Sequence, residues 1–234
     1  MNSFWYNFFA SFINKIREFS RYKIMTQYKE DCRECPRLAT FLDQVKLEQP
    51  NYFCKPVPPF GDTSIRLLIV GLAPGMHGAN RTGRPFTGDY AGILLYKALF
   101  HFGFSNQQES IAADDSLKLM DCRITNAVKC LPPQNKPEPK EIKQCNHYLK
   151  SELDLLKPRT LVLALGSIAH QSVLSAFQLK KSDYVFSHGA RHKLPNQLVL
   201  YDSYHCSRYN TQTKRLTEEM FFSVFQSIKK EMEN

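Results

Sequence analysis

Residues 77–92, HGANRTGRPFTGDYAG, put four glycines, Arg81, Arg84 and one carboxylate, Asp89, directly behind an apolar run. Bare backbone lets amides approach a phosphate or a sugar without a Cβ in the way, and arginines bring positive charge to the same place. Gly71 and Gly75 open this region, and His77 stands beside its next glycine. A lone acid here has two uses: activating water, or capping the helix that GDYAGILL begins. Two more segments carry polar side chains: TNAVKC offers Asn126, a donor and an acceptor on one side chain, and HCSRYN offers His205, Ser207 and Asn210.

Thiols form the third group. Of seven cysteines, Cys32 and Cys35 make a C-x-x-C, while Cys130 and Cys145 have fourteen residues between them. Two pairs suggest a four-thiolate metal centre. A zinc ribbon normally repeats its knuckle in the second half, which this chain does not, and the looser second pair suits a [4Fe–4S] cluster as well or better. Cys54, Cys122 and Cys206 read as small residues of the core or of a site wall.

Several simpler chemistries are excluded. The glycines at 78 and 83 have P-loop spacing, but Arg84 and Pro85 replace the lysine and hydroxyl that bind phosphate and magnesium. GLAPG breaks the dinucleotide pattern, and no H-x-E of a zinc deaminase occurs.

These residues must be positioned by something. IRLLIV, RITNAV, TLVLALG and QLVLYDSYH read as strands. GILLYKALFHFG, PKEIKQCNHYLKSELDLLK, SIAHQSVLSAFQL and residues 213–232 read as the helices between and after them. The continuous apolar runs imply strands covered on both faces. The fold expected is therefore α/β: a single domain with a mainly parallel central sheet flanked by helices on both faces. In such sheets the working residues collect beyond the carboxyl ends of the strands, where GLAPGMHG, TNAVKC, LGS and YHCSRYN stand.

The composition agrees with one globular domain over residues 25–234. The chain has 234 residues, 43% of them hydrophobic, and its 31 Lys and Arg against 22 acids give a net charge of +9. That balance favours a polyanionic partner. No run approaches the roughly 20 apolar residues of a membrane span, and no secretory signal is evident. Residues 1–24 carry Phe4, Phe8, Phe12 and Ile16 at helical spacing and read as an amphipathic, loosely docked extension, with Met25 an alternative start. The expected location is cytoplasmic, where thiols favour metal over disulfides.

Taken in order, C-x-x-C, KPVPPFGD, GLAPGMHGANRTGRPFTGDYAG, TNAVKCLPP, a later cysteine and HCSRYN resemble the iron–sulfur branch of the uracil-DNA glycosylase superfamily. Within that branch GLAPG-x-HG-x-NRTGRPFTGD resembles the fifth family, type b. The resemblance spans roughly residues 30–230, and several independent motifs carry it. It departs once: Cys206 occupies the proline position of H-P-S-x-x-N.

The resemblance implies a monofunctional glycosylase that hydrolyses uracil, with hypoxanthine and xanthine as further candidates, from double-stranded DNA. It implies a structural [4Fe–4S] cluster on Cys32, Cys35, Cys130 and Cys145. Phe86 would stack on the flipped base and Asn126 would read its edge. His205 would donate to the departing base, while Asp89 would place water and offset the sugar cation. Gly71, Gly75, His77, Ser207 and Asn210 would line the substrate. Arg81, Arg84, Arg208 and Tyr209 would contact DNA, the last two by wedging into the vacated stack. Lys129, Lys136 and Lys140 are further phosphate candidates. No well-placed lysine nucleophile is evident, so strand cleavage is not expected. The enzyme would act as a monomer without an obligate protein partner. The rival reading keeps the scaffold as a lesion-DNA sensor with weak or no catalysis.

Overall fold

A computed structural model describes residues 28–233, so the expected amphipathic helix in residues 1–24 lies outside the described residues. The strands are β1 (Phe60–Gly61), β2 (Leu67–Gly71), β3 (Cys122–Asn126), β4 (Leu161–Leu165), β5 (Arg191–Lys193) and β6 (Val199–Ser203). The α-helices are α1 (Pro36–Glu48), α2 (Ala79–Thr82), α3 (Tyr90–His101), α4 (Pro139–Asp154), α5 (Ser167–Ala176), α6 (Arg208–Gln212) and α7 (Glu218–Glu233).

The four inner strands form one sheet because each is buried on both faces. Along β2, Leu67 and Ile69 pack into a cluster with Leu95, Leu99 and Phe225 from α3 and α7. The alternate residues Leu68 and Val70 pack on the opposite face with Leu149, Leu153 and Val173 from α4 and α5. Each such fully buried aliphatic side chain contributes roughly 1.5–3 kcal/mol, so the two layers hold the sheet flat between them. A third cluster joins Leu38, Leu42 and Val45 of α1 to Val128, Leu131 and Tyr148, and it includes Cys130 and Cys145.

Strand order is β1-β3-β2-β4-β6-β5, with the inner four parallel and both edges antiparallel. The chain leaves β2 toward β3, then crosses back so that β4 pairs on the other side of β2. That reversal puts a topological switch point between β2 and β4, and a crevice opens there beyond the strand ends.

The α/β reading holds, and so do the four inner strands. Residues 213–232 prove to be α7 alone, starting at Glu218 and preceded by the short α6. Helix α1 and the two edge strands were not anticipated. No helix among the described residues is long and apolar enough to cross a membrane.

Candidate active site

Gly71 ends β2 and pairs in register with Asn126 at the end of β3. The two lie so close that a Cβ on Gly71 would sit 2.4 Å from Asn126 Oδ1 and 2.7 Å from Phe86 Cζ. Asn126 is buried, and its Oδ1 has no hydrogen-bond partner. An orphaned buried acceptor costs about 1–3 kcal/mol and persists where something other than the fold uses it. Phe86 forms the adjoining wall in a left-handed conformation, φ 53°, that a bulky residue rarely adopts. The strain is held locally: Tyr96 donates its hydroxyl to Pro85 O at 2.9 Å. Only a glycine at 92 leaves room for Phe86 O, which would lie 1.9 Å from a Cβ there.

Three residues beyond Phe86, Asp89 is the N-cap of α3, its Oδ1 accepting from Gly92 N at 2.8 Å. Its Oδ2 lies over the glycine loop, 2.4 Å from where a Cβ on Gly78 would be and 3.7 Å from one on Gly75. Capping thus occupies one oxygen of the carboxylate and leaves the other over the glycine loop. Burial pushes the Asp89 carboxyl above the usual carboxylate range, while the Gly92 and Ala91 amides pull it back.

His205 follows β6 and faces Phe86 across 6.0 Å between ring centroids, tilted by 31°. Burial pushes its imidazole down to about 4, so the ring is neutral at physiological pH. A cavity of about 230 Å³ opens beside it between Leu72, Leu165, Gly166 and Asn210. Cys206, in the position a proline would take, is fully buried; desolvation and then Asp89 raise its thiol, so it is a neutral wall residue.

Other expected residues divide into three groups. Ser207 caps α6 by accepting from Asn210 N at 3.4 Å, and Asn210 Nδ2 donates to His205 O at 2.8 Å. Both therefore order the loop that carries His205. Arg208 and Tyr209 are exposed, with Arg208 lying 5.8 Å over the Tyr90 ring. Arg81 is half-buried and donates Nε to His77 O at 2.8 Å, and exposed His77 meets the Tyr52 hydroxyl through Nδ1 at 2.9 Å. Tyr52 was missed because nothing local in its sequence points to residue 77.

Two expected phosphate contacts require correction. Arg84 is 4% exposed, ion-paired to Asp115 at 2.6 Å and bonded to Thr87 and Ser110, so its guanidinium pins the 110–115 loop and does not reach a DNA surface. Lys129 is 1% exposed and pairs with buried Glu152 at 2.6 Å, while its Nζ also donates to the Thr125 hydroxyl. Of the remaining two, Lys140 pairs with Glu138 on the surface and Lys136 is exposed.

Cys32, Cys35, Cys130 and Cys145 face one small cavity between α1, α4 and the loop after β3. Burial raises the Cys130 thiol most, and its three partner cysteines raise it further, which places all four sulfurs in mutual electrostatic reach. Lys129 N donates to Cys145 Sγ at 3.3 Å. Yet they do not close on a single point, because among the described residues no three of these sulfurs lie within 4.8 Å of one another. A tetrahedral zinc would need sulfurs about 3.8 Å apart.

Comparison with known proteins adds the following. Residues 58–229 match the profile of the Uracil DNA glycosylase superfamily. The chain is 47% identical over 204 residues to the type-5 uracil-DNA glycosylase of Thermus thermophilus, covering 85% of this chain and 93% of that protein. It is 42% identical over 198 residues to the type-5 uracil-DNA glycosylase of Pyrobaculum aerophilum, covering 83% and 86%. The type-4 uracil-DNA glycosylase of Archaeoglobus fulgidus is 33% identical over 150 residues, covering 64% and 61%.

Proposed function

The chain belongs to the uracil DNA glycosylase superfamily, beside its type-5 enzymes, and from that premise we propose how its own residues carry out the reaction. It is a uracil-DNA glycosylase, a hydrolase of N-glycosyl bonds that works in base excision repair. In our reading it takes the base from double-stranded DNA, releases it without cutting the strand, and works as a monomer inside the cell. The net charge of +9 supports a polyanionic substrate.

The orphaned Oδ1 of Asn126 carries this reading. Uracil presents N3–H between two carbonyls, and a flipped uracil seated on Phe86 satisfies that acceptor with the N3–H donor. Cytosine has a lone pair at N3 and leaves the acceptor repelled, which is a strong basis for discrimination. Hypoxanthine offers N1–H beside O6, so the same oxygen accepts it; this supports a lesion range extending to deaminated purines. Neutral His205 donates a hydrogen bond to O2 as charge builds on the leaving base. Asp89 keeps Oδ1 on the Gly92 amide and uses Oδ2 to hold water and to offset the sugar cation. No lysine lines the cavity beside His205, and the Lys129 amine is committed to Glu152, so nothing there supplies an amine to attack the sugar.

The four thiols fit an all-sulfur cluster by donor type and by sharing one cavity. Cys32, Cys35, Cys130 and Cys145 would hold a [4Fe–4S] group, whose contribution is a rigid joint between α1 and the loop leading from Asn126.

The test is a duplex with one U·G mismatch, incubated with protein and treated with hot alkali. Strand breakage only after alkali is the expected result. Breakage before alkali would overturn the strand-sparing mechanism. Absence of breakage from protein that still binds the duplex would leave a lesion sensor.

A further inference from the structure

Away from the reaction site, Asp202 on β6 is fully buried between two histidines. Its Oδ1 lies 2.8 Å from His170 Nδ1 on α5, and its Oδ2 lies 3.1 Å from His192 Nε2 on β5. The other nitrogen of His170 is 2.9 Å from the Tyr184 carbonyl, which can only accept, so that nitrogen carries the ring's proton. A neutral His170 then turns a bare lone pair toward a carboxylate that has none to give. Two arrangements remove this conflict: one further proton held between His170 and Asp202, or a cation shared by the lone pair and the carboxylate.

We propose that His170 Nδ1, His192 Nε2 and Asp202 form a site for one divalent cation of the zinc class. The three ligand atoms lie within 4.8 Å of one another, with His170 and Asp202 buried and His192 14% exposed. Zinc bonds of about 2.0–2.1 Å set ligand atoms roughly 3.3 Å apart, near the 2.8 Å from His170 Nδ1 to Asp202 Oδ1 and the 3.1 Å from His192 Nε2 to Oδ2, so one ion would replace both hydrogen bonds as the carboxylate turns toward it. A ligating histidine ordinarily donates its far N–H to a carbonyl, which is what Tyr184 accepts from His170. Two imidazoles with a single carboxylate select zinc or its neighbours over magnesium and calcium. The ion ties α5, the edge strand β5 and β6 together three residues before His205, and its role is structural.

The four-cysteine centre also binds soft metals, so the test uses cluster-loaded protein stripped of loosely held metal with a mild chelator. Cobalt(II) serves as the spectroscopic probe and zinc as the competitor. One equivalent of cobalt should bind, giving visible d–d bands of a nitrogen–oxygen site without thiolate charge-transfer absorption, and zinc should displace it. His192→Ala, the least buried of the three residues, and Asp202→Asn should each weaken binding by at least ~100-fold, beyond the 10–100-fold typical of losing an outer partner. Zinc should also raise the melting temperature of the unmodified protein and leave that of His192→Ala unchanged. Binding with thiolate bands, binding retained in both variants, or no cobalt uptake with His170 doubly protonated by nitrogen NMR would each overturn the proposal, the last leaving a buried imidazolium–carboxylate pair.

Discussion

Asn126 Oδ1 occupies the space a side chain at position 71 would need, since a Cβ on Gly71 would come within 2.4 Å of it. The carboxyl ends of β2 and β3 thus hold one open acceptor against one bare backbone position. Asn126→Ala should lower excision by ~100–1,000-fold, the range for losing one preorganised group at a reacting centre. Its melting temperature should match or exceed that of the unmodified protein, because a buried unpaired acceptor is removed. Gly71→Ala should abolish excision while duplex binding, measured by fluorescence anisotropy, persists. Unchanged excision in either variant would remove the pocket from this position.

The two titratable groups have opposite displacements and predict one acid limb. His205, with its imidazole down at about 4, stays neutral from pH 8 to pH 5, so excision should show no step near 6.5. Asp89 must be ionised, and its carboxyl lies above the ordinary range, so the rate should fall as pH drops through that raised value. Asp89→Asn should lose most of the rate and the acid limb with it. Stability moves separately: folded His205 refuses the proton that the unfolded chain accepts below about 6.5, so its contribution is full above that pH. That contribution is lost as pH falls toward 4.

Arg84 and Arg81 should separate cleanly. Arg84→Ala strands a partly buried Asp115 and should destabilise by about 3–5 kcal/mol in urea unfolding. Arg81→Ala should leave stability within ~0.5 kcal/mol but weaken duplex binding, lowering the salt slope by about one. A reversal of the two outcomes would return Arg84 to the DNA face.

If the four thiols hold the proposed cluster, its loss should be felt first in α1. Cys130→Ser, or oxidative removal of the cluster, should speed amide exchange across residues 36–48 and the loop after β3, while β4 and β6 stay protected. Equal protection with and without iron would deny the thiol centre its joining role.

Much of this was legible because long apolar runs and glycine-rich strand ends are local signals. Leu67 to Val70 show their own burial in four letters, and GDYAGILL shows the capping use of Asp89. The misses share a cause: they depend on partners distant in the chain. Arg84 looks like a DNA contact until Asp115 is folded against it, and Lys129 looks solvated until Glu152 arrives on α4. The edge strand Arg191–Lys193 is RHK, with no alternation to read, and β1 is two residues long. Helix α1 did leave a trace, since Pro36 at its first turn precedes Leu38, Leu42 and Val45 at helical spacing.

One oxygen of Asp89 starts α3 while the other lies over the glycine loop, so under the proposed mechanism fraying of that first turn and loss of the reacting carboxylate are a single event. Warming should therefore silence the enzyme before the sheet melts, and reversibly, as a local opening re-closes on cooling. A bound duplex that presses on the turn would extend the working temperature, making the substrate itself a thermal protectant of its own hydrolase.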